Sequence, residues 1–382
     1  MKKVGIITIL KTNNYGAELQ AYATQGVLNK IGYDAEIIDY LFYKNPEHIK
    51  TKASKPSFNH GLKKRLAETL YPLIAKFKIG SNNNNSKNRD KRFKNFHVDN
   101  TAMSPTYRSM DELYASKKEY DVYMVGSDQV WNPGIYSSLM PYMLTFAPKG
   151  KKRVAYASSF GVSSIPQEFQ WLYKEYLPQF SSIGVREKNA VDMVRELSGK
   201  EATWVLDPTL LLNKEDWMKV AKQSYGEKRN YILLYELTPC PYILELAKYF
   251  REKKGMEIIR ICKNASIEDN DSTILNIIDA GPAEFIDLFA NAGMVITNSF
   301  HGTVFSINFG KDFYTVTPLR KQNNSRQQSI LGLFSLNDRL LLEGTDINLI
   351  SRTPIDYNTV NCTLEQEREK SINYLKNAID ER

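Results

Sequence analysis

Val295-Ile296-Thr297-Asn298-Ser299-Phe300-His301-Gly302-Thr303-Val304-Phe305 carries a short apolar strand into a polar turn, then into an apolar helix with a histidine at its mouth. In open α/β sheets ligands bind outside the carboxyl ends of strands, where the next helix offers free N–H groups and a partial positive charge to an anion. The stretch therefore predicts a strand, a site-forming turn and a helix. It also makes His301 a candidate for chemistry, because imidazole is the side chain that changes charge near neutral pH. The chain has 4 His in 382 residues, and the other three, His48, His60 and His97, lie in polar or basic stretches that read as surface.

Working outward, the same alternation recurs. Residues 3–10 form a strand rich in β-branched side chains, residues 16–31 place Leu19, Ala23, Val27, Leu28 and Ile31 at helical spacing, Gly32 ends the helix, and residues 34–40 give a second strand. Strand-like segments resume at 122–126, 153–157, 183–186 and 203–206, with a helix over 187–197. Polar residues accumulate over 213–230, and a second set follows: strands at 231–236, 257–261, 294–297 and 313–316, with helices at 241–253, 282–291 and after His301. This order predicts an α/β protein with two Rossmann-like domains facing each other across a cleft, the GT-B-like layout. The expected boundaries are 1–215 for the first domain, which holds the acceptor side and a basic insertion at about 42–94, and 228–355 for the second, which carries His301. A helix within 363–382 is expected to pack back on the first domain, and the asparagine-rich stretch 81–86 reads as a loop.

Hydrophobic residues at 42% and charged residues at 25% are the proportions of a soluble globular protein. The longest apolar runs fall well short of the ~20 residues that a membrane span requires, and the N-terminal run turns polar at Lys11, so a cytoplasmic protein is expected. Cys240, Cys262 and Cys362 show neither CxxC pairing nor ligand spacing, so no disulfide framework and no metal site are expected. The formal charge of +8 suits an anionic substrate, an anionic lipid surface or nucleic acid. Much of the excess lies in residues 50–94, where Leu70, Tyr71, Leu73, Ile74 and Phe77 interrupt the lysines and arginines. That segment reads either as a solvated face or as a contact with lipid headgroups at the inner membrane surface, and no nucleic-acid partner is expected.

The polar residues after each strand are the candidates for ligand contact. Lys11-Thr12-Asn13-Asn14-Tyr15-Gly16-Ala17-Glu18 lacks the GxGxxG spacing of a dinucleotide site. Asn14, Tyr15 and Gly16 are candidates for acceptor binding, and the turn equally reads as a helix cap. In Gly126-Ser127-Asp128-Gln129-Val130-Trp131-Asn132-Pro133, an aromatic face beside hydrogen-bonding groups suits a sugar. Gln129, Trp131 and Asn132 are thus acceptor candidates and Asp128 a base or hydroxyl-orienting group; the alternative is a buried turn with Trp131 in the core. Arg186 follows a buried-looking strand, and Arg320, Lys321 and Arg326 form a cationic cluster after the last strand, which together with the helix start at His301 suits a small multiply charged anion.

Seven segments taken in order, residues 14–20, 126–133, 156–161, 185–187, 206–209, 297–302 and 324–326, resemble the bacterial polysaccharide pyruvyltransferase family across about residues 3–345. The resemblance implies a GT-B-like fold and transfer of the enolpyruvyl carbons of phosphoenolpyruvate to two hydroxyls of a sugar, giving a pyruvate ketal and phosphate. The setting it implies is synthesis of a bacterial capsule or exopolysaccharide, with no cofactor beyond phosphoenolpyruvate as co-substrate; the basic, partly apolar segment 50–94 adds the expectation of a lipid-diphosphate-linked oligosaccharide as acceptor. The family's catalytic histidine falls on His301, its donor-binding arginine on Arg186 and its late donor-binding lysine on Arg326, with Asn298 and Ser299 beside the donor. Several members carry an arginine where this chain has Ser299; either Arg320 or Lys321 replaces that charge, or donor recognition differs here. Two other readings fit the same layout: a GT-B glycosyltransferase using a nucleotide sugar, and a non-catalytic glycan-binding protein.

Overall fold

Runs of four or five consecutive apolar residues become strands covered on both faces, and the longer stretches with one apolar face become the helices that cover them. The computed structural model describes residues 1–51, 66–67, 70–74, 84–223, 230–262, 271–320 and 324–381. The chain divides into two compact units, one built from residues 1–83, 97–211 and 367–382, the other from 84–96 and 212–366.

The first unit holds strands β1 (Lys3–Ile7), β2 (Asp34–Ile37), β3 (Val122–Val125), β4 (Lys152–Ser158), β5 (Ser182–Val185) and β6 (Thr203–Trp204). They form a parallel sheet in the order β2-β1-β3-β4-β5-β6. Its longer helices are α1 (Tyr15–Lys30), the last residues of α2 (Asn84–Asn100), α3 (Gln167–Tyr176) and α4 (Lys188–Ser198). The second unit holds β7 (Ile232–Tyr235), β8 (Ile258–Ile261), β9 (Ile274–Ile277), β10 (Met294–Thr297), β11 (Asp312–Thr317) and β12 (Leu340–Leu342), again parallel, in the order β12-β11-β10-β7-β8-β9. Its helices include α5 (Pro241–Lys254), α6 (Pro282–Asn291), α7 (Phe300–Asn308) and α8 (Ser325–Leu333), while α9 (Tyr357–Asp380) ends in the first unit.

In each sheet the strand order reverses once, between β1 and β3 in the first and between β7 and β10 in the second. At such a reversal the two connecting segments leave in opposite directions and open a crevice at the carboxyl edge. The loops after β1 and β3, and those after β7 and β10, therefore frame the two candidate ligand positions.

Packing fixes these frames. Trp131, Tyr142, Phe160 and Phe180 fill the first core, and in the second unit Trp217 packs on Phe305 with ring centroids 5.1 Å apart, Phe305 in turn lying 5.5 Å from Phe285. Tyr374 of α9 donates its hydroxyl to the Ala155 carbonyl at 2.8 Å, and the Ser371 hydroxyl accepts the Leu206 N–H at 3.0 Å.

Several details depart from the sequence reading. The edge strands β9 and β12 were not anticipated; they are only four and three residues long, too short for a period to show. The second strand ends at Ile37, and Asn84 to Ser86 begin α2 instead of forming a loop. His48 and His97 are buried, at 7% and 4% exposure, the first against the Tyr40 ring and the second against Glu18, 79 positions away. His60 lies outside the described residues.

Burial, reinforced by Lys50, lowers His48 to a pKa of about 4, with its Nε2 3.4 Å from the Tyr40 hydroxyl. An unfolded histidine titrates near ~6.5, so between these values the unfolded chain binds the extra proton. The contribution is intact above about pH 6.5 and is lost as pH falls through the folded value, at most about 3 kcal/mol. Urea unfolding from pH 7.5 to 4 should show this loss in the wild type and a flatter profile in His48→Gln; parallel profiles would contradict it.

Candidate active site

At the β1/β3 reversal, the end of each strand is tied to the other by a polar core. Gln20 of α1 donates Nε2 to the Thr8 hydroxyl at 2.8 Å, and its Oε1 accepts the Ser127 N–H at 3.0 Å. The Thr8 hydroxyl donates to the Ser127 carbonyl at 3.0 Å. Gly126 makes the approach possible: its φ is +115°, and a Cβ there would stand 2.1 Å from the Tyr156 carbonyl oxygen.

Arg186, at the end of β5, reaches this turn from behind. Its Nη1 donates to Asp207 Oδ2 at 2.9 Å, its Nη2 lies 3.4 Å from Asp128 Oδ1, and its Nε is 3.6 Å from Glu187 Oε1. The side chain is only 1% exposed. Desolvation works to lower its pKa, but Asp207, Glu187 and Asp128 outweigh it and drive the value up, so the guanidinium stays charged. One cation among three carboxylates leaves excess negative charge on the group. In this arrangement the guanidinium holds Asp128 in place.

Asp128 is the least buried carboxylate of the group, at 15% side-chain exposure. Its backbone is left-handed, with φ +67°, and its carbonyl accepts the Ser159 N–H at 3.0 Å. Gln129 and Asn132 lie beside it, half-buried, with Asn132 Nδ2 donating to Gln129 Oε1 at 2.8 Å. Trp131 is a core residue and not a sugar platform: it is fully buried, Nε1 donates to the Tyr142 carbonyl at 3.1 Å, and Phe160 and Phe180 pack against the indole. Across the reversal Asn14 caps α1 by accepting the Gly16 N–H at 3.0 Å, while Tyr15 is buried.

His301 sits in the first turn of α7, at the β7/β10 reversal, and is 6% exposed. Its ring lies edge-on to Phe300 at 5.3 Å. Gly302 lets the helix start hard against the strand, since a Cβ there would meet Thr297 Oγ1 at 2.4 Å. Ser299 is the N-cap: its hydroxyl accepts the Gly302 N–H at 3.3 Å, and it is 1% exposed. Asn298 braces the β7 loop, accepting the Leu237 N–H at 2.8 Å and donating to the Thr238 carbonyl at 2.6 Å. Both residues shape the turn that carries His301. Of the expected cations, Arg326 lies with its guanidinium 5.8 Å from the Phe300 ring centre, beside the histidine's own neighbour. Arg320 is exposed in the turn after β11, and Lys321 lies outside the described residues.

Ser127, Glu187 and Asp207 were not singled out from the sequence. Asp207 left a local trace in Asp207-Pro208-Thr209, where its Oδ1 accepts both the N–H and the hydroxyl of Thr209, at 3.0 and 2.6 Å. Among the described residues no group of three or more His, Cys, Asp or Glu is placed to hold a metal ion, and no helix is long and apolar enough to cross a membrane.

Residues 14–318 match the model of the polysaccharide pyruvyl transferase family. No curated protein sequence matches the chain. Among solved structures, a protein described as a UDP-N-acetylglucosamine 2-epimerase from Listeria monocytogenes is similar at a TM-score of 0.50 and 11% identity, covering 100% of this chain and 97% of its own. The UDP-GlcNAc 2-epimerase from Neisseria meningitidis, bound to UDP-GlcNAc, is similar at 0.50 and 9% identity, covering 99% and 97%. At such identities the likeness concerns the fold alone, and with the two parallel six-stranded sheets it establishes a two-domain GT-B-like fold.

Replacing Arg186 by Met should cost about 3–5 kcal/mol of stability, because it strands buried carboxylates without their cation. Urea unfolding measures this. A variant as stable as the wild type, yet weakened in phosphoenolpyruvate binding, would return Arg186 to the donor.

Proposed function

We propose that this chain, which belongs to the polysaccharide pyruvyl transferase family, transfers the enolpyruvyl carbons of phosphoenolpyruvate to two hydroxyls of a sugar in a surface-polysaccharide precursor. The observation that carries the reading is the placement of His301 in the first turn of α7, at the strand-order reversal of the second sheet, with Arg326 over the adjoining Phe300 ring. A helix N-terminus and a nearby guanidinium favour an anion, and an imidazole among them supplies a proton.

The chemistry proceeds in balanced steps. Protonation of the methylene carbon turns it into a methyl group and leaves C2 electron-poor. One sugar hydroxyl adds to C2 and loses its proton. The C2–O bond to phosphate then breaks, phosphate departs with the electron pair, and the second hydroxyl adds and loses its proton to close the ketal. His301 is the proposed proton donor to the methylene carbon, and Arg326 offsets the charge of the departing phosphate. Asp128, fixed by Arg186, is the proposed acceptor of a hydroxyl proton, and Asn14, Gly16, Gln129 and Asn132 are proposed contacts for the sugar, whose uncharged hydroxyls tolerate the acidic surroundings of that turn.

A lipid-diphosphate-linked acceptor and work at the cytoplasmic face of the membrane belong to the same proposal. They are supported by the basic segment 50–94 and by the exposure of Leu70, Leu73 and Ile74 within it, at 44%, 55% and 47%. A nucleotide-sugar transferase is the rival reading, since the GT-B-like fold serves either chemistry.

Phosphate release from phosphoenolpyruvate should appear with at least one member of a panel of lipid-linked and model galactosides. His301→Ala should lower that rate by about 10²-fold or more while leaving the protein folded. Phosphoenolpyruvate should also raise the thermal unfolding temperature. Protection by a nucleoside diphosphate alone, with no phosphate released for any acceptor, would favour the rival.

A further inference from the structure

Glu18 belongs to the first turn of α1, yet its side chain turns back over the loop that precedes the helix. Its Oε2 accepts the Lys11 N–H at 3.0 Å and its Oε1 accepts the Thr12 N–H at 2.9 Å. A third partner is His97, whose Nε2 lies 2.6 Å from Oε2, with the two side chains 1% and 4% exposed. The loop needs this support. Lys11 and Asn13 have left-handed backbones, φ +55° and +52°, which cost a residue with a Cβ about 1 kcal/mol or more each. The Lys11 ammonium is also paired with Asp39, which takes the Thr106 hydroxyl as well.

We infer that Glu18 and His97 form a positioning clamp that sets the β1–α1 loop for the acceptor sugar, an inference that rests on the acceptor side proposed above. A carboxylate is suited to this work because each of its oxygens can accept, so two adjacent backbone N–H groups and an imidazole are satisfied together. An amide cannot replace it, because its NH2 would face one of the two N–H donors. Nothing on the clamp touches substrate; it acts through the loop that leads to Asn14 and Gly16.

The test uses the full chain and compares Glu18→Gln, His97→Leu and His97→Gln, the last keeping a donor towards Glu18. Amide exchange at Lys11 and Thr12 should accelerate by about tenfold or more in E18Q and H97L, as expected for a lost hydrogen bond to a charged group. Where the wild type transfers pyruvate to a model galactoside, the acceptor KM should rise about tenfold in the same two variants. Both kcat and the KM for phosphoenolpyruvate should stay within about twofold, and H97Q should restore most of the acceptor affinity. Unchanged amide exchange would overturn the clamp. Faster exchange with unchanged acceptor KM, or a loss confined to kcat, would overturn its positioning role. If E18Q does not fold, H97L and H97Q carry the same comparison. A wild type that is inactive with every galactoside overturns the acceptor reading and this inference together, whereas an active wild type with indifferent variants overturns this inference alone.

Discussion

A parallel sheet obliges the chain to cross the sheet's face before each new strand, and the right-handedness of that crossing leaves few ways to arrange the strands. Both units follow one such arrangement, with a single reversal of direction beside the first strand. Everything proposed about function depends on it. At the reversal no crossing helix covers the carboxyl edge, so the backbone amides and side chains of two adjacent loops are left to meet a ligand. His301 and Asp128 occupy equivalent places in their own sheets for this reason, although nothing in their local sequences is alike.

The two places are electrostatically unlike. In the first unit three carboxylates surround one guanidinium, and the β1–α1 loop adds the Glu18 carboxylate and the Lys11 ammonium, the latter paired with Asp39. In the second, a helix start, an imidazole and an arginine over an aromatic ring gather, and the Glu236 carboxylate of the β7 loop accepts the Cys240 N–H at 2.9 Å. The proposed division of labour places the uncharged, hydroxyl-rich acceptor at the first and the anionic donor at the helix start and guanidinium of the second.

Much of this architecture was legible in the sequence. The strand 294–297 and the helix 282–291 could be read to the residue, because a buried strand and an amphipathic helix are written in local periodicity. What failed shares a different cause. His97 stands in a basic, polar helix and read as surface, but its partner is Glu18, 79 positions away. The carboxylates at 128 and 207 that engage Arg186 were not legible beside it either, since folding alone brings them close. Trp131 has polar neighbours in the chain and aromatic neighbours in space. Ser299 and Asn298 were placed correctly at the turn, yet their polar atoms serve the backbone that forms it. Position within the fold was readable, and the direction in which a polar group spends its hydrogen bonds was not.

The discontinuity of the first unit carries a consequence for the order of synthesis. Tyr374 fills the space over Gly184, where a Cβ would stand 2.8 Å from its ring, and Ser371 satisfies the buried Leu206 N–H. A growing chain therefore makes the whole first sheet, then the strands of the second, before it makes the side chains that finish the first core. The nascent first unit waits with an open flank and an unsatisfied amide, while the contiguous stretch from 212 onward emerges behind it. The last helix is thus the closing piece of the part of the protein that was made first.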